Sequence, residues 1–327
     1  MITFPSSADV IDEDVVCAVR LFVTVTIQTY NRSALLAQTL ESLRSLHAPA
    51  GVDYEILVVD NNSRDDTQDV IQRYSRLLGP RFRSVLEPRQ GLSHARNRAW
   101  KEAQGQIVSF LDDDVQVDPE WLGAVAAAFE KYPAAVVGGK SYLIYPGERP
   151  SWLPEFYESL LSRLDYGEQV LVNTDRPLFG VNFSVRKEWL ERVGGFDTSL
   201  GRCGRSLRSG EEFDLLQRIR GQGGIAVYEP GAVVGHLVPA QRVKKWWFVK
   251  RLFAAGQDSV ILAAKDHTAL PSLAGTTIHA IRCCGSILKS IVLADFSTPT
   301  LWGKGLVAAH ALGTLEGRLR RALTSWS

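Results

Sequence analysis

The chain has 327 residues, 45% of them hydrophobic and 22% charged, with a formal net charge of +1. That is ordinary globular composition, enough for one large domain or two modest ones, and the whole-chain charge names no partner. The acidic start MITFPSSADVIDEDVV lacks the basic and apolar regions of a signal peptide, and no stretch reaches the ~18 to 20 apolar residues of a membrane span. Cys17, Cys203, Cys283 and Cys284 are not spaced as a metal knuckle and read as reduced thiols of a cytoplasmic protein.

Past an N-terminal extension, 1–19, strands and helices alternate. LFVTVTI (21–27) is a buried strand pattern, SALLAQTLESLRSL (33–46) a helix with Ser33 as N-cap, and YEILVVD (54–60) a second strand. DDTQDVIQRYSRLL (65–78) is a second helix, RFRSVLE (81–87) a third strand, and GLSHARNRAWKEAQG (91–105) a helix closed by Gly105. QIVSFLD (106–112) is a fourth strand, and DPEWLGAVAAAFEKY (118–132) a helix capped by Asp118. This rhythm predicts an α/β fold, a mostly parallel sheet covered by helices, with ligands beyond the carboxyl ends of its strands.

The second part is less regular. Strands are expected over 134–145, 178–185, 225–230 and 232–238, and helices over 187–197 and 211–223. The Pro-, Trp- and Tyr-rich stretch 146–178 reads as a long irregular segment, and the loop 198–210 as a lid or a disordered surface loop. From 239 to 327 the pattern is a basic, amphipathic helical tail, with helices at 241–262, 276–293 and 302–323. Residues 237–327 hold 12 Lys and Arg against 4 Asp and Glu, and KKWWFVKRLF mixes aromatics with charge. Such a tail is either a set of solvated helix faces or a surface that rests peripherally on the anionic inner face of the cell membrane.

The run VSFLDDDVQVD, 108–118, sets three carboxylates at the end of a buried strand, where they repel one another. Strand alternation turns Asp112 and Asp114 toward one crevice and Asp113 away, or into support of the loop. Two such acids would hold Mg2+ or Mn2+ shared with a substrate's phosphates; for a lone D-x-D, a solvated capping loop is the plainer reading. Glu211 and Glu212 open a helix, either as dipole partners or as a general base. Arg96 sits early in a helix, as a phosphate contact or an exposed arginine. His236 would complete a metal shell or be a satisfied core histidine.

Seven segments occur in order: VTVTIQTYNR, EILVVDNNSRDDT, RQGLSHARNRAW, GQIVSFLDDDVQVDPEWL, FGVNFSVRKEWLERVGGFDTSLG, SGEEFDLLQRI and VYEPGAVVGHLV. Together they resemble the inverting glycosyltransferases of family 2, with the GT-A fold, as found in bacterial cell-envelope polysaccharide assembly. The resemblance implies a catalytic domain over 20–238, with a nucleotide-sugar-binding half (20–117) and an acceptor half (118–238). It implies a UDP-, GDP- or dTDP-sugar donor, a glycan or lipid-linked acceptor and a divalent metal. It places Thr29, Tyr30, Asn31 and Arg32 in the wall of the nucleotide pocket, Asp60 and Asn61 at the base, and Arg96 near the pocket. Asn61 stands where many members have a second Asp. Asp112 would lie near ribose or sugar, with Asp113 in the same donor loop, and Asp114 and His236 would bind metal. Glu212 would be the general base, with Glu211 its neighbour in the acidic pair.

A dehydrogenase would need a glycine-rich turn after the first strand, and TYNR has none. A nucleotidyltransferase of similar fold would want one too. An inactive membrane-associated sugar-nucleotide scaffold is the non-enzymatic alternative, and the intact acids argue against it. Nucleic acid is not an expected partner, because the pocket is acidic. QRVKKWW (241–247) only approaches the Q-x-x-R-W signature of processive synthases, so one or few transfers per encounter are expected.

Overall fold

The valines, isoleucines and threonines of strand β1 (Leu21–Thr29) are buried on both faces, as a central strand requires. It pairs in parallel with β2 (Val52–Asp60) on one side and β4 (Ile107–Asp112) on the other, and β2 pairs with β3 (Phe82–Leu86). The computed structural model describes residues 21–204, 206–265, 272–292 and 298–324, so the extension 1–19 and Cys17 lie outside the described residues. Helices α1 (Ser33–Leu43), α2 (Thr67–Leu78) and α3 (Leu92–Glu102) make the crossovers. Beyond β4 the sheet continues through β8 (Asn182–Arg186), β6 (Ala134–Ile144), β9 (Ile225–Leu237) and β5 (Val115–Val117), with the short β7 (Leu171–Val172) also on β9. Strands β1, β2, β3, β4, β6 and β9 run one way; β5, β7 and β8 run against them. Helices α4 (Trp121–Lys131), α5 (Lys187–Val193) and α6 (Glu211–Gly221) complete the layers. This is the mostly parallel, helix-flanked α/β sheet expected.

Several local expectations shift. Arg32, not Ser33, is the residue preceding α1, and Ser33 instead donates its N–H to Asp65 at 3.0 Å. Asp118 accepts the N–H of Glu120 at 2.9 Å, but the helix proper starts at Trp121. The two strands expected over 225–238 are one strand with a bulge, since Glu229 pairs with Gly139 while Val233 pairs with Lys140. Asn182 holds the bulge by donating to the Ala232 carbonyl at 2.7 Å, and Gly139 is needed there because a Cβ would strike that carbonyl. Within 146–178 there is more order than expected: a 3-10 helix over Glu155–Leu161 and strand β7.

The tail forms α7 (Lys245–Lys265), α8 (Leu273–Val292) and α9 (Thr298–Thr324), preceded by a 3-10 turn at Ala240–Val243. It packs on the sheet through Phe248 and Leu306, which join Leu153, Leu161 and Val238 in one apolar cluster. Polar ties add to this: Asp258 of α7 accepts from the Arg208 guanidinium at 3.1 Å and from the Ser209 N–H at 2.8 Å. Among the described residues no helix is long and apolar enough to cross a membrane, and Cys203, Cys283 and Cys284 are free thiols.

Candidate active site

The carboxyl ends of β1, β2 and β4 open into a cavity of about 430 Å³, closed on the far side by the start of α6, the loop 198–210 and the first turns of the tail. Thr29, Tyr30, Arg32, Asn61, Arg96, Asp112, Asp113, Glu211 and Glu212 line it, so most of the residues singled out in the sequence converge. Asn31, Asp60, Asp114 and His236 do not reach the lining.

Those four support it instead. Asn31 adopts a left-handed φ of 51°, where Asn is tolerated, and its Oδ1 accepts the Arg64 N–H at 2.7 Å. Asp60 spends both carboxylate oxygens on its own turn, accepting from Ser63 N–H at 2.9 Å and Gln68 Nε2 at 2.5 Å. Asn61 faces the cavity, but its side chain is already used. It donates to the Glu87 and Arg89 carbonyls at 2.9 and 2.7 Å and accepts from the Gly91 N–H at 2.9 Å. The amide therefore ties β2 to the turn before α3 rather than offering a free edge to a base.

The aspartate triplet is arranged differently from the alternation argument. The strand ends at Asp112, and Asp113 and Asp114 form the tight turn into β5, so a two-residue strand period no longer applies. Asp113 lines the cavity and accepts from Thr29 Oγ1 at 2.8 Å, while Asp114 is fully buried behind it. Arg32 bridges them, with one guanidinium nitrogen 2.5 Å from Asp113 and another 2.5 Å from Asp114. His236 Nε2 lies 3.3 Å from Asp114 Oδ2, and Arg242 lies 3.7 Å from the same oxygen. Burial opposes ionisation of Asp114, yet His236 and the two arginines hold its carboxyl well below the usual range. Asp113 goes the other way, pushed up to about 7 by burial and by its acidic neighbours against the pull of Arg32.

The second acidic cluster is built around Arg96, which is not a free phosphate contact. Its side chain is buried in α3 and salt-bridged to Glu211 at 2.8 Å, with Asp112 at 3.5 Å and Glu212 at 3.8 Å. Gly180 permits this, because a Cβ there would collide with the guanidinium. One arginine cannot balance three acids, so the two glutamates separate. Burial and the charge of Glu212 push Glu211 up to about 8. Burial also raises Glu212, but Arg96 and its own backbone N–H outweigh that and hold it below its ordinary value. Glu212 is the more open of the two, with its side chain 20% exposed against 3% for Glu211. Each keeps a buried Oε2 with no hydrogen bond among the described residues, that of Glu212 lying 3.8 Å from Arg96.

A donor set for a cation can be tested at Asp114. Its Oδ1 is buried and unpartnered among the described residues, and His236 Nδ1 lies 2.7 Å from the Leu161 carbonyl. An Nδ1–H donated there would orient the ring, and a cation between Nε2 and Asp114 would replace the proton that otherwise lies between them. Among the described residues no three acids, histidines or cysteines gather around one point. Ions of the magnesium type take remaining ligands from phosphates and water, so Asp114 and His236 would supply two ligands to such a cation, from behind the cavity wall. The sequence reading missed Arg202, Arg242 and Arg251, which also line the cavity. The near-signature QRVKKWW was the available signal for Arg242.

The fold and the cavity at its strand ends define a GT-A glycosyltransferase. The family model described as "Glycosyl transferase family 2" matches residues 24–194, just over half of the chain, and the protein belongs to that family. The chain is 28% identical over 250 residues to the succinoglycan biosynthesis protein ExoM of Rhizobium meliloti, covering 76% of this chain and 77% of that protein. It is 26% identical over 254 residues to a glucosyl-dolichyl phosphate glucuronosyltransferase of Haloferax volcanii, covering 73% and 77%. Its fold is shared with a mannosyltransferase from Pyrobaculum calidifontis solved with GDP-Man and Mn2+, at a TM-score of 0.59, 22% identity, and 90% and 86% coverage.

Proposed function

We propose that the protein transfers a sugar from a nucleotide-diphosphate donor to an acceptor hydroxyl with inversion, in polysaccharide or glycolipid synthesis. The observation that carries this reading is the divided acidic pair at the start of α6. Glu212 is ionised, lines the cavity and keeps its side chain 20% exposed, as a base requires. Glu211 holds its proton and keeps a second negative charge off the pair. The named relatives act in succinoglycan biosynthesis and on a glucosyl-dolichyl phosphate, which supports a glycan or lipid-linked acceptor.

Asp114 and His236 would hold Mg2+ or Mn2+, with Asp112 toward the donor sugar; the cation would neutralise negative charge growing on the diphosphate. The chain's own residues do the rest. Tyr30 and the turn around Asn61 bound the nucleotide, and Arg32 holds the Asp113–Asp114 turn in place. Glu212 takes the proton from the acceptor hydroxyl as that oxygen attacks the anomeric carbon from the face opposite the diphosphate. One displacement inverts configuration. The catalytic domain, 20–238, then has its donor half before Asp118 and its acceptor half after it, with 239–327 as the tail that brings the protein to the inner leaflet. Exposed Trp246 and Ile281 on that tail support the last point. Thermal stabilisation by UDP, GDP and dTDP and their sugars, with and without Mn2+, tests the donor reading. The expected outcome is a metal-dependent shift for one nucleotide series.

A further inference from the structure

The cavity has a second electrostatic end, which the reaction above does not use. Arg251 comes from α7 and Arg202 from the loop 198–210, and both line the cavity while keeping partial exposure. Burying a guanidinium is costly unless it is paired, and these two are short of partners. Arg251 donates to Ser209 Oγ at 2.6 Å, while its Nη1 is buried with no partner among the described residues. Arg202 has no carboxylate within ion-pair distance among the described residues. Burial and the charge of Arg202 both lower Arg251. Nearby acids are already engaged: Asp258 by Arg208 and Ser209, and Glu211 by Arg96. Crowded like charges with unmet donors call for an oxyanion, and guanidinium forks match the geometry of phosphate.

The position says which phosphate. The Asp112–Asp114 end already has its own arginines, Arg32 and Arg242. Ser209, the partner of Arg251, lies just before α6, on the side of the base. Loop 198–210 also joins the two parts of the molecule. Its Arg202 carbonyl accepts the Leu92 N–H of α3 at 2.8 Å, and its Ser209 N–H reaches Asp258 of α7. We infer that Arg202 and Arg251 form a subsite for a phosphate or diphosphate carried by the acceptor, beyond the sugar whose hydroxyl is attacked. This rests on Glu212 marking the acceptor side. The subsite explains why the tail is packed against the catalytic domain: it supplies half of the acceptor's anchor.

Calorimetric titration of the full chain in Mn2+ buffer with farnesyl diphosphate, farnesol, UDP and GDP tests it, using wild type, Arg202→Gln and Arg251→Gln. Farnesyl diphosphate is expected to bind wild type at least about tenfold more tightly than farnesol. Each substitution should weaken farnesyl diphosphate by about tenfold or more, the scale of a charge-assisted contact, while nucleoside diphosphate affinity stays within about threefold. Should Arg251→Gln fail to fold, Arg202→Gln, whose loop tie is through the backbone, decides alone. Unchanged farnesyl diphosphate affinity in the folded variants overturns the subsite. Equal losses for UDP or GDP overturn it too, by giving the arginines to the donor, and equal binding of farnesol shows that the chain rather than the phosphate is held. Failure of wild type to bind either nucleotide would sink the donor reading and leave the farnesyl diphosphate comparison to judge the arginines.

Discussion

Two acidic clusters face the same cavity and are balanced in different ways. At the β4–β5 turn, Asp113 and Asp114 are met by Arg32 and Arg242, which arrive from other elements and keep side-chain exposures of 26% and 11%. At the start of α6, Glu211 and Glu212 share a single arginine, Arg96, which is 3% exposed and walled in by Gly180 and Phe196. The first cluster is met by two arginines that keep some exposure. The second has only its one buried arginine, so it adjusts by protonation. The difference teaches that an acidic pair met by two arginines and one that shares a single buried arginine settle their charge differently, the second by keeping a proton on Glu211.

The largest effect expected is on Glu212. Glu212→Gln should lower turnover by about 10²- to 10⁴-fold with nucleotide affinity retained, as loss of a general base does. Near-wild-type turnover would erase the contrast between the clusters. Arg96→Met should come next: removing one partner of a buried ion pair costs about 3–5 kcal/mol, seen as a lower denaturation midpoint. The same change at Arg32, whose side chain is 26% exposed, should cost less, and equal losses would show that the two clusters are balanced alike. Asp114→Asn is expected to abolish the Mn2+-dependent thermal shift while leaving a folded protein, whereas Glu212→Gln should keep that shift.

A smaller effect separates the glutamates by pH. Glu211 is raised from 4.5 to about 8 in the folded protein, so its contribution is fully present below pH 4.5 and is lost as pH rises through about 8. Glu211→Gln stays neutral throughout. Its melting temperature should therefore gain on wild type between about pH 5 and 8 and run parallel above that. A constant gap over the whole range would remove the protonated glutamate from the account. The smallest change is Thr29→Val, which deletes one hydrogen bond to Asp113 at 2.8 Å. About 1 kcal/mol of stability is expected to go with it.

Much of this site was legible in the residues. The apolar runs of β1, β2 and β4 and the helices between them follow from burial period alone, and strand ends in such sheets face the ligand. That reasoning put the Asp112–Asp114 run at the crevice, whereas Thr29, Arg32 and Glu212 were placed there by the family resemblance alone. Side-chain commitments were not legible, because they depend on neighbours 30 to 115 residues away, as in Asn61 with Gly91 and Arg96 with Glu211. Asp113 was misassigned for a local reason: the chain turns immediately after Asp112, and alternation holds only while the strand lasts.

The sequence by itself determined the layered sheet, the order of its motifs and the two acidic clusters, because hydrophobic period and residue chemistry are local properties of the chain. Only the tertiary structure decided which acid meets which arginine, which glutamate keeps its proton, and that Arg251 of the tail lines the cavity. Those outcomes are set by burial and by Coulomb interactions across elements, and these exist only once the chain has brought distant residues within a few ångströms of one another.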